Sequence, residues 1–179
     1  MKDEIIRLDY RSEKTQNILS FDDLNKFYST CFKAEYSKFL NSAELQNMET
    51  WLEGSIAETM VAVEHSDTVM LACMSGSTLL GTAVYAERQS YVYVWAMYVL
   101  PTNLRSGIGS KLLAEIAASV ASDSRIEVSV IKQSTGAMKF YDKFGFRSYK
   151  SENPEIFPNV CIPIEVMQVT TRAVREMHL

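Results

Sequence analysis

The pattern of apolar and polar positions opens with period two, shifts to helical spacing, and returns to β-type runs at Thr68. Over residues 4–10, Ile6, Leu8 and Tyr10 alternate with Ile5, Arg7 and Asp9, as in a strand with one buried face. Ser20 with Asp23 three residues on has the form of a capping box, and Leu24, Phe27, Tyr28, Cys31 and Phe32 follow at helical spacing. A second helix is predicted from Asn41 and Ser42, with Leu45, Met48, Trp51 and Leu52 on one face and an end at Gly54. Residues 55–66 carry no decisive period. The aromatic stripe of these helices suits a core face first and a ligand wall second.

Thr68 to Met74 and Leu80 to Ala86 are β-prone runs joined by Ser75-Gly76-Ser77-Thr78, which predicts a hairpin. Tyr91 to Leu100 is apolar on both faces, the signature of a central strand covered on both sides, and Pro101 ends it. Beyond Gly107-Ile108-Gly109, the positions Ile108, Leu112, Leu113, Ile116, Ala117 and Val120 make a helix face. Arg125 to Ile131 then predicts a strand, Ser134 to Phe144 a helix, Phe146 to Tyr149 a strand, and Val160 to Val169 a last strand that Pro163 assigns to a sheet edge. No internal repeat is visible, and the mixture of helices and strands predicts an α/β class.

At 179 residues, 47% hydrophobic and 22% charged, the chain is expected to form one domain over residues 1–179 whose core needs neither disulfides nor metal. Eighteen basic against 22 acidic residues leave a net charge of −4, a mildly acidic field that attracts neither a phosphate backbone nor anionic lipid. Cys31, Cys73 and Cys161 form no C-x-x-C and, with only His65 and His178 alongside, offer no zinc or redox spacing. They are expected to be buried small hydrophobes in a reducing compartment, and no metal is expected. The first residues, Met1-Lys-Asp-Glu-Ile-Ile-Arg, lack the basic and apolar stretches of a signal peptide. The longest apolar run, Tyr91 to Leu100, is about half of the roughly 20 residues that a membrane helix requires. A cytoplasmic protein, bound to neither membrane nor nucleic acid, is the expectation.

Candidate chemistry concentrates between Tyr98 and Leu113. There a buried strand stops, the chain turns, two glycines admit a close approach, and a helix begins with its unpaired N–H groups and positive dipole end facing the gap. Such a place holds a pyrophosphate without metal, through backbone donors from Arg105 to Ser110 and the Arg105 side chain. A G-x-G alone is a weak signal, and taken by itself reads first as a loop glycine with close helix packing. Two stronger phosphate motifs are absent. The dinucleotide fingerprint needs a third glycine where Leu112 stands, and the acid at the corresponding distance, Glu127, lies within a strand. A Walker A loop needs G-K-[ST], which Gly109-Ser110-Lys111-Leu112 does not provide.

The order strand, Pro, loop, G-x-G, helix, strand, followed by Ala137-Met-Lys-Phe-Tyr-Asp-Lys-Phe-Gly-Phe146, resembles the GNAT superfamily of N-acetyltransferases. That superfamily pairs a [QR]-x-x-G-x-[GA] loop with a later A-x-x-F-Y-x-x-x-G-F segment, and the resemblance covers about Thr68 to Tyr149. It implies a mixed, mostly antiparallel central sheet flanked by helices, in which the Tyr91–Leu100 and Arg125–Ile131 strands splay apart and acetyl-CoA, the co-substrate, lies in the wedge. It also implies that backbone groups of Met97, Tyr98 and Val99 hold the pantetheine arm. Amides of Arg105, Ser106, Gly107, Ile108, Gly109 and Ser110 would hold the pyrophosphate. The implied reaction is direct attack of a primary amine on the thioester, with the acetyl oxygen stabilised by a backbone N–H of the splayed strand. The amine belongs to a small molecule or to a lysine or N-terminus of a peptide, and the protein acts as a monomer or homodimer.

Tyr141 occupies the family position of the proton donor to the departing thiolate, with core packing beside Phe140, Phe144 and Phe146 as the competing role. Relatives often carry a glutamate base on the splayed strand, but Tyr93 and Trp95 stand there and no carboxylate lies between Tyr91 and Leu100. Glu87, the nearest acid in sequence, reads as an exposed turn carboxylate, so no base is assigned. Leu104 stands where the family has Gln or Arg, with Arg105 one place later. Ser134 stands where Asn is common, and either caps its helix or reaches CoA. These departures keep a second reading open, a non-catalytic acyl-CoA-binding or regulatory module that retains the loop without turnover. A third reading is a helical interaction protein built on residues 20–54.

Overall fold

The computed structural model describes residues 3–8 and 19–177; Asp9, Tyr10 and His178 of the sequence reading lie outside that range. In chain order the elements are β1 (Glu4–Leu8), α1 (Phe21–Tyr36), α2 (Ser42–His65), β2 (Thr68–Ser75), β3 (Thr78–Glu87), β4 (Val92–Val99), α3 (Ile108–Ser119), β5 (Arg125–Ile131), α4 (Thr135–Lys143), β6 (Arg147–Glu152), β7 (Glu155–Phe157), β8 (Val160–Cys161), β9 (Ile164–Thr170) and α5 (Thr171–Glu176). The seven strands of the main sheet are ordered β1-β2-β3-β4-β5-β9-β6, and β7 pairs with β8 separately. The sheet is mixed: β1–β2, β5–β9 and β6–β9 are antiparallel, and β4–β5 is parallel. The chain clusters into two compact units, Met1–Val84 with Ala96–Leu112, and Tyr85–Trp95 with Leu113–Leu179.

In the first unit both long helices begin at reciprocal caps. The Asp23 N–H donates to Ser20 Oγ at 3.2 Å while the Ser20 N–H donates to Asp23 Oδ2 at 2.9 Å. Asn41 and Glu44 form the same exchange at 3.0 and 2.8 Å. Helix α1 buries Leu24, Phe27, Tyr28, Cys31, Phe32 and Tyr36. Helix α2 does not stop at Gly54 but runs on to His65. Gly54 meets nothing within 4 Å, and the roughly 1 kcal/mol that glycine costs a helix is offset by burial of Ile56 and Val63 beyond it. Strands β2 and β3 join through the turn Gly76-Ser77, where Gly76 takes φ 61°.

In the second unit, Ile126, Val128 and Val130 of β5 are buried while Arg125 and Ser129 on the other face are exposed. Its parallel register with β4 is Val92↔Ile126, Tyr93↔Glu127 and Val94↔Val128. The two-sided burial expected of the Tyr91–Leu100 segment is corrected: only Val92 and Val94 are buried, and Tyr91, Tyr93 and Trp95 form a half-buried aromatic column.

The edge strand expected over Val160–Val169 is also corrected. Pro163 lies in the gap between β8 and β9, the β5–β9 ladder begins one residue later at Ile131↔Ile164, and β9 sits between β5 and β6. Having no N–H to offer, Pro163 contributes its carbonyl instead, which accepts the Lys132 N–H at 3.0 Å. Helix α5, unforeseen in the sequence, supplies Arg175, whose Nε and Nη2 reach the Ala117 carbonyl at 2.8 and 2.5 Å and whose Nη2 reaches that of Val120 at 2.6 Å. A cation on the open carbonyls of the α3 C-terminus matches the dipole there. Cys31 and Cys73 are buried as expected, whereas Cys161 is exposed.

Candidate active site

The loop between β4 and α3 is shaped by its own backbone. A single 3₁₀ turn over Pro101–Asn103 follows β4, the Asn103 carbonyl accepts the Ser106 hydroxyl at 2.7 Å, and Arg105 and Gly107 take left-handed φ values of 67° and 89°. Helix α3 closes its first turn with Lys111 N–H to the Gly107 carbonyl at 3.0 Å. Among the described residues, the N–H groups of Gly107, Ile108, Gly109 and Ser110 have no acceptor. Consecutive free donors at a helix start form an anion cradle. Gly107 is exposed and Gly109 and Ser110 half-buried, so the donors are open to solvent. Lys111 turns its ammonium to Asp3 at 3.3 Å, and the exposed Arg105 is the cation beside the cradle.

Gly81 of β3 seats the start of this helix. A Cβ there would lie 2.7 Å from Ile108 Cγ2 and 3.1 Å from the Tyr98 carbonyl oxygen. Tyr98 packs edge-on to Tyr28 at 5.9 Å and against Phe32 at 4.9 Å, so its side chain belongs to the aromatic cluster of α1. Burial in that cluster pushes its phenol well above the ordinary value of 10.0. Val99 offers its carbonyl to the Cys31 thiol at 3.7 Å, and Leu100 ties its N–H to the Leu80 carbonyl at 2.9 Å. Met97, Tyr98, Val99 and the stretch from Arg105 to Ser110 thus belong to the first unit.

Ser134 and Tyr141 belong to the second unit, at the start and within helix α4. Ser134 holds the N-cap position, but its hydroxyl makes no cap bond; its carbonyl accepts the Met138 N–H at 3.0 Å and its N–H donates to the Ile131 carbonyl at 2.9 Å. Its ψ of 69° departs from the extended geometry that carries a serine oxygen over the helix start. Tyr141 is buried, with ring centroids 5.1 Å from Phe140 and 5.0 Å from Phe146, both edge-on. Among the described residues none hydrogen-bonds its hydroxyl. Burial pushes the phenol above its ordinary value of 10.0, which keeps it protonated.

Tyr93 stacks on Trp95 at 5.8 Å and its hydroxyl lies 3.3 Å from Ser129 Oγ. Its register partner across the parallel ladder is Glu127, whose Oε2 accepts the Tyr149 hydroxyl. A carboxylate therefore does stand beside the aromatic pair that replaces the expected glutamate, one strand over. Strand pairing placed it there, and no local sequence signal announces it. Glu87 is exposed at the end of β3. Among the described residues no three His, Cys, Asp or Glu side chains are grouped to hold a metal ion, and no helix is long and apolar enough to cross a membrane.

Comparison with known proteins gives this fold a class, that of acetyltransferase domains, through a family model described as an acetyltransferase (GNAT) domain that matches residues 36–156. The chain belongs to the GNAT acetyltransferase family. Among solved structures it is similar to the PaiA N-acetyltransferase of Thermoplasma acidophilum in complex with coenzyme A, with a TM-score of 0.72, 17% identity, and coverage of 95% of this chain and 99% of that one. An N-acetyltransferase from Staphylococcus aureus Mu50 follows with a TM-score of 0.68, 17% identity, and coverage of 96% and 99%. The ribosomal-protein-S18-alanine N-acetyltransferase of Escherichia coli gives 0.66 at 13% identity, with coverage of 95% and 94%. Curated proteins provide no match.

Proposed function

We propose that this chain transfers an acetyl group from acetyl-CoA to a primary amine. The observation that carries this reading is the run of unengaged N–H groups from Gly107 to Ser110 at the start of α3, directly after a strand and loop of the family pattern. In this reading those amides and Arg105 hold the pyrophosphate, and backbone groups of Met97, Tyr98 and Val99 in β4 hold the pantetheine arm. The neutral amine nitrogen attacks the thioester carbonyl, the C–N bond forms, and the C–S bond breaks as the oxyanion collapses. The nitrogen gives up one proton and the CoA thiolate takes one. Tyr141, kept protonated by burial, is the proposed donor to the thiolate. Family membership and the coenzyme A bound in two similar solved structures support the co-substrate. The acceptor spans small-molecule and peptide amines, the classes represented by relatives described as aminoglycoside 6'-N-acetyltransferase and ribosomal-protein-S18-alanine N-acetyltransferase.

Release of CoA thiol from acetyl-CoA across a panel of amines tests the reading. Release above the no-acceptor control with at least one amine is the expected result. Binding of acetyl-CoA with no amine raising release turns the reading toward an acyl-CoA-binding module.

A further inference from the structure

The second unit carries a small cleft that the reading above leaves without a role. It has a volume of about 290 Å³ and is lined by Ser90, Tyr91, Arg125, Glu127, Tyr149 and Gln168. Its size falls at the lower end of ligand pockets, so it suits a molecule of a few heavy atoms rather than a chain segment. Arg125 and Glu127 alternate onto the same face of β5, with Cα atoms about 6.6 Å apart at ordinary strand rise. Opposite charges so close commonly neutralise each other, but these two form no ion pair. Among the described residues neither has any ion-pair partner, while the neighbouring Lys150 is already paired with Glu152 and Lys132 with Glu165.

Glu127 is half-buried, and its Oε2 accepts the Tyr149 hydroxyl. Its Oε1 and the Arg125 guanidinium have no hydrogen-bond partner among the described residues. That bond holds Tyr149, 53% exposed, at the cleft, and pushes its phenol up to about 12, so it remains a donor across the neutral range. Tyr91 supplies a second aromatic wall, and Gln168, the register partner of Glu127 on β9, adds an amide with both a donor and an acceptor.

We infer that this cleft binds an amino-acid-type zwitterion, with its ammonium on Glu127 Oε1 and its carboxylate on Arg125. A plain amine satisfies Glu127 but places its positive charge beside Arg125 with nothing to offset it. A plain carboxylate has the opposite fault with Glu127. A molecule carrying both groups a few bonds apart satisfies both side chains, and its stem lies beside Tyr91 and Tyr149, the aromatic residues of the lining. As a binding site the cleft stands on its own geometry.

The test is calorimetric titration of the whole chain with L-alanine, β-alanine and γ-aminobutyrate, and with ethylamine and acetate as single-charge controls. It is repeated on Glu127→Gln and Arg125→Gln. Both positions are solvent-accessible, and the melting shift produced by acetyl-CoA checks that each variant is folded. At least one zwitterion should bind, with ethylamine, acetate and both variants weaker by about 10-fold or more, the scale of one lost charge-assisted contact. Three results overturn the inference while the acetyl-CoA shift is intact. These are no zwitterion binding up to about 50 mM, far weaker than any Kd a built site implies; binding that neither substitution changes; and ethylamine binding as tightly as the zwitterions. Loss of the acetyl-CoA shift in the unaltered chain strikes the transfer reading instead, and leaves zwitterion binding to stand or fall on its own titration.

Discussion

Gly81 and Ile108 touch through a hydrogen: a Cβ on Gly81 would lie 2.7 Å from Ile108 Cγ2, inside any real carbon contact. Ile108 is the first residue of α3 and is buried, so this contact sets how deeply the N-terminus of the helix seats behind the anion cradle. The Tyr98 carbonyl at 3.1 Å and Leu112 Cδ1 at 3.3 Å close the other sides.

Gly81→Ala should therefore destabilise the fold by about 1–3 kcal/mol, the usual cost of overpacking, and weaken acetyl-CoA binding as the helix start shifts. Gly54→Ala is the matched control. It meets open space within α2 and should raise stability by about 0.5–1 kcal/mol. Thermal melts and CoA titrations of the two variants side by side check this, and equal behaviour would contradict the packing account.

Tyr141→Phe removes only the hydroxyl from a side chain seated between Phe140 and Phe146. Turnover should fall by about 10-fold or more with acetyl-CoA affinity unchanged if this oxygen protonates the thiolate. Unchanged turnover with an amine that the parent chain acetylates would leave Tyr141 as core packing.

Glu165 provides a pH signature. Hydrogen bonds from Lys132, Ser148 and Ser151 hold its carboxyl below the ordinary value of 4.5, at about 2. A depressed folded-state value means that this contribution to stability is present above pH 4.5 and fades as pH falls toward 2. Melting temperature should drop over that window and drop less in Glu165→Gln. Parallel acid profiles for the two proteins would contradict the assignment.

The thiols should separate cleanly. Cys31 is buried and burial pushes its thiol up to about 12, the Cys73 thiol is raised by the same cause, and Cys161 is exposed. A disulfide reagent at mildly alkaline pH should label Cys161 rapidly in the native chain and all three only on unfolding. Equally fast labelling of Cys31 would contradict the packing of α1.

Much of this was legible because it is local. The Ser20 and Asn41 caps, the bounds of β5, and the loop from Pro101 through Gly109 are determined by residues a few positions apart, and each family motif, the G-x-G loop and Ala137–Phe146, is itself a short local segment. What escaped depends on partners far along the chain. The continuation of α2 past Gly54 is decided by burial of Ile56 and Val63. Pro163 misled because a proline marks an edge only when it lies inside a ladder, and here the ladder begins at Ile164. The meeting of Glu127 with Tyr93 and Tyr149 exists only once β4, β5 and β6 are arranged, and Gly81 looks like any strand glycine until Ile108 is set against it.

The central claim is that the start of α3 holds the pyrophosphate of acetyl-CoA, and its most direct test is melting temperature with and without ligand. Acetyl-CoA at about 100 times its Kd should add about 2.7 kcal/mol, a rise of about 5–10 °C for a chain of this size. Free CoA should do the same and adenosine should not. Gly107→Val, which strains a residue at φ 89° and fills the open space before the free amides, should abolish the rise. No rise at millimolar acetyl-CoA, or a full rise in folded Gly107→Val, would contradict it.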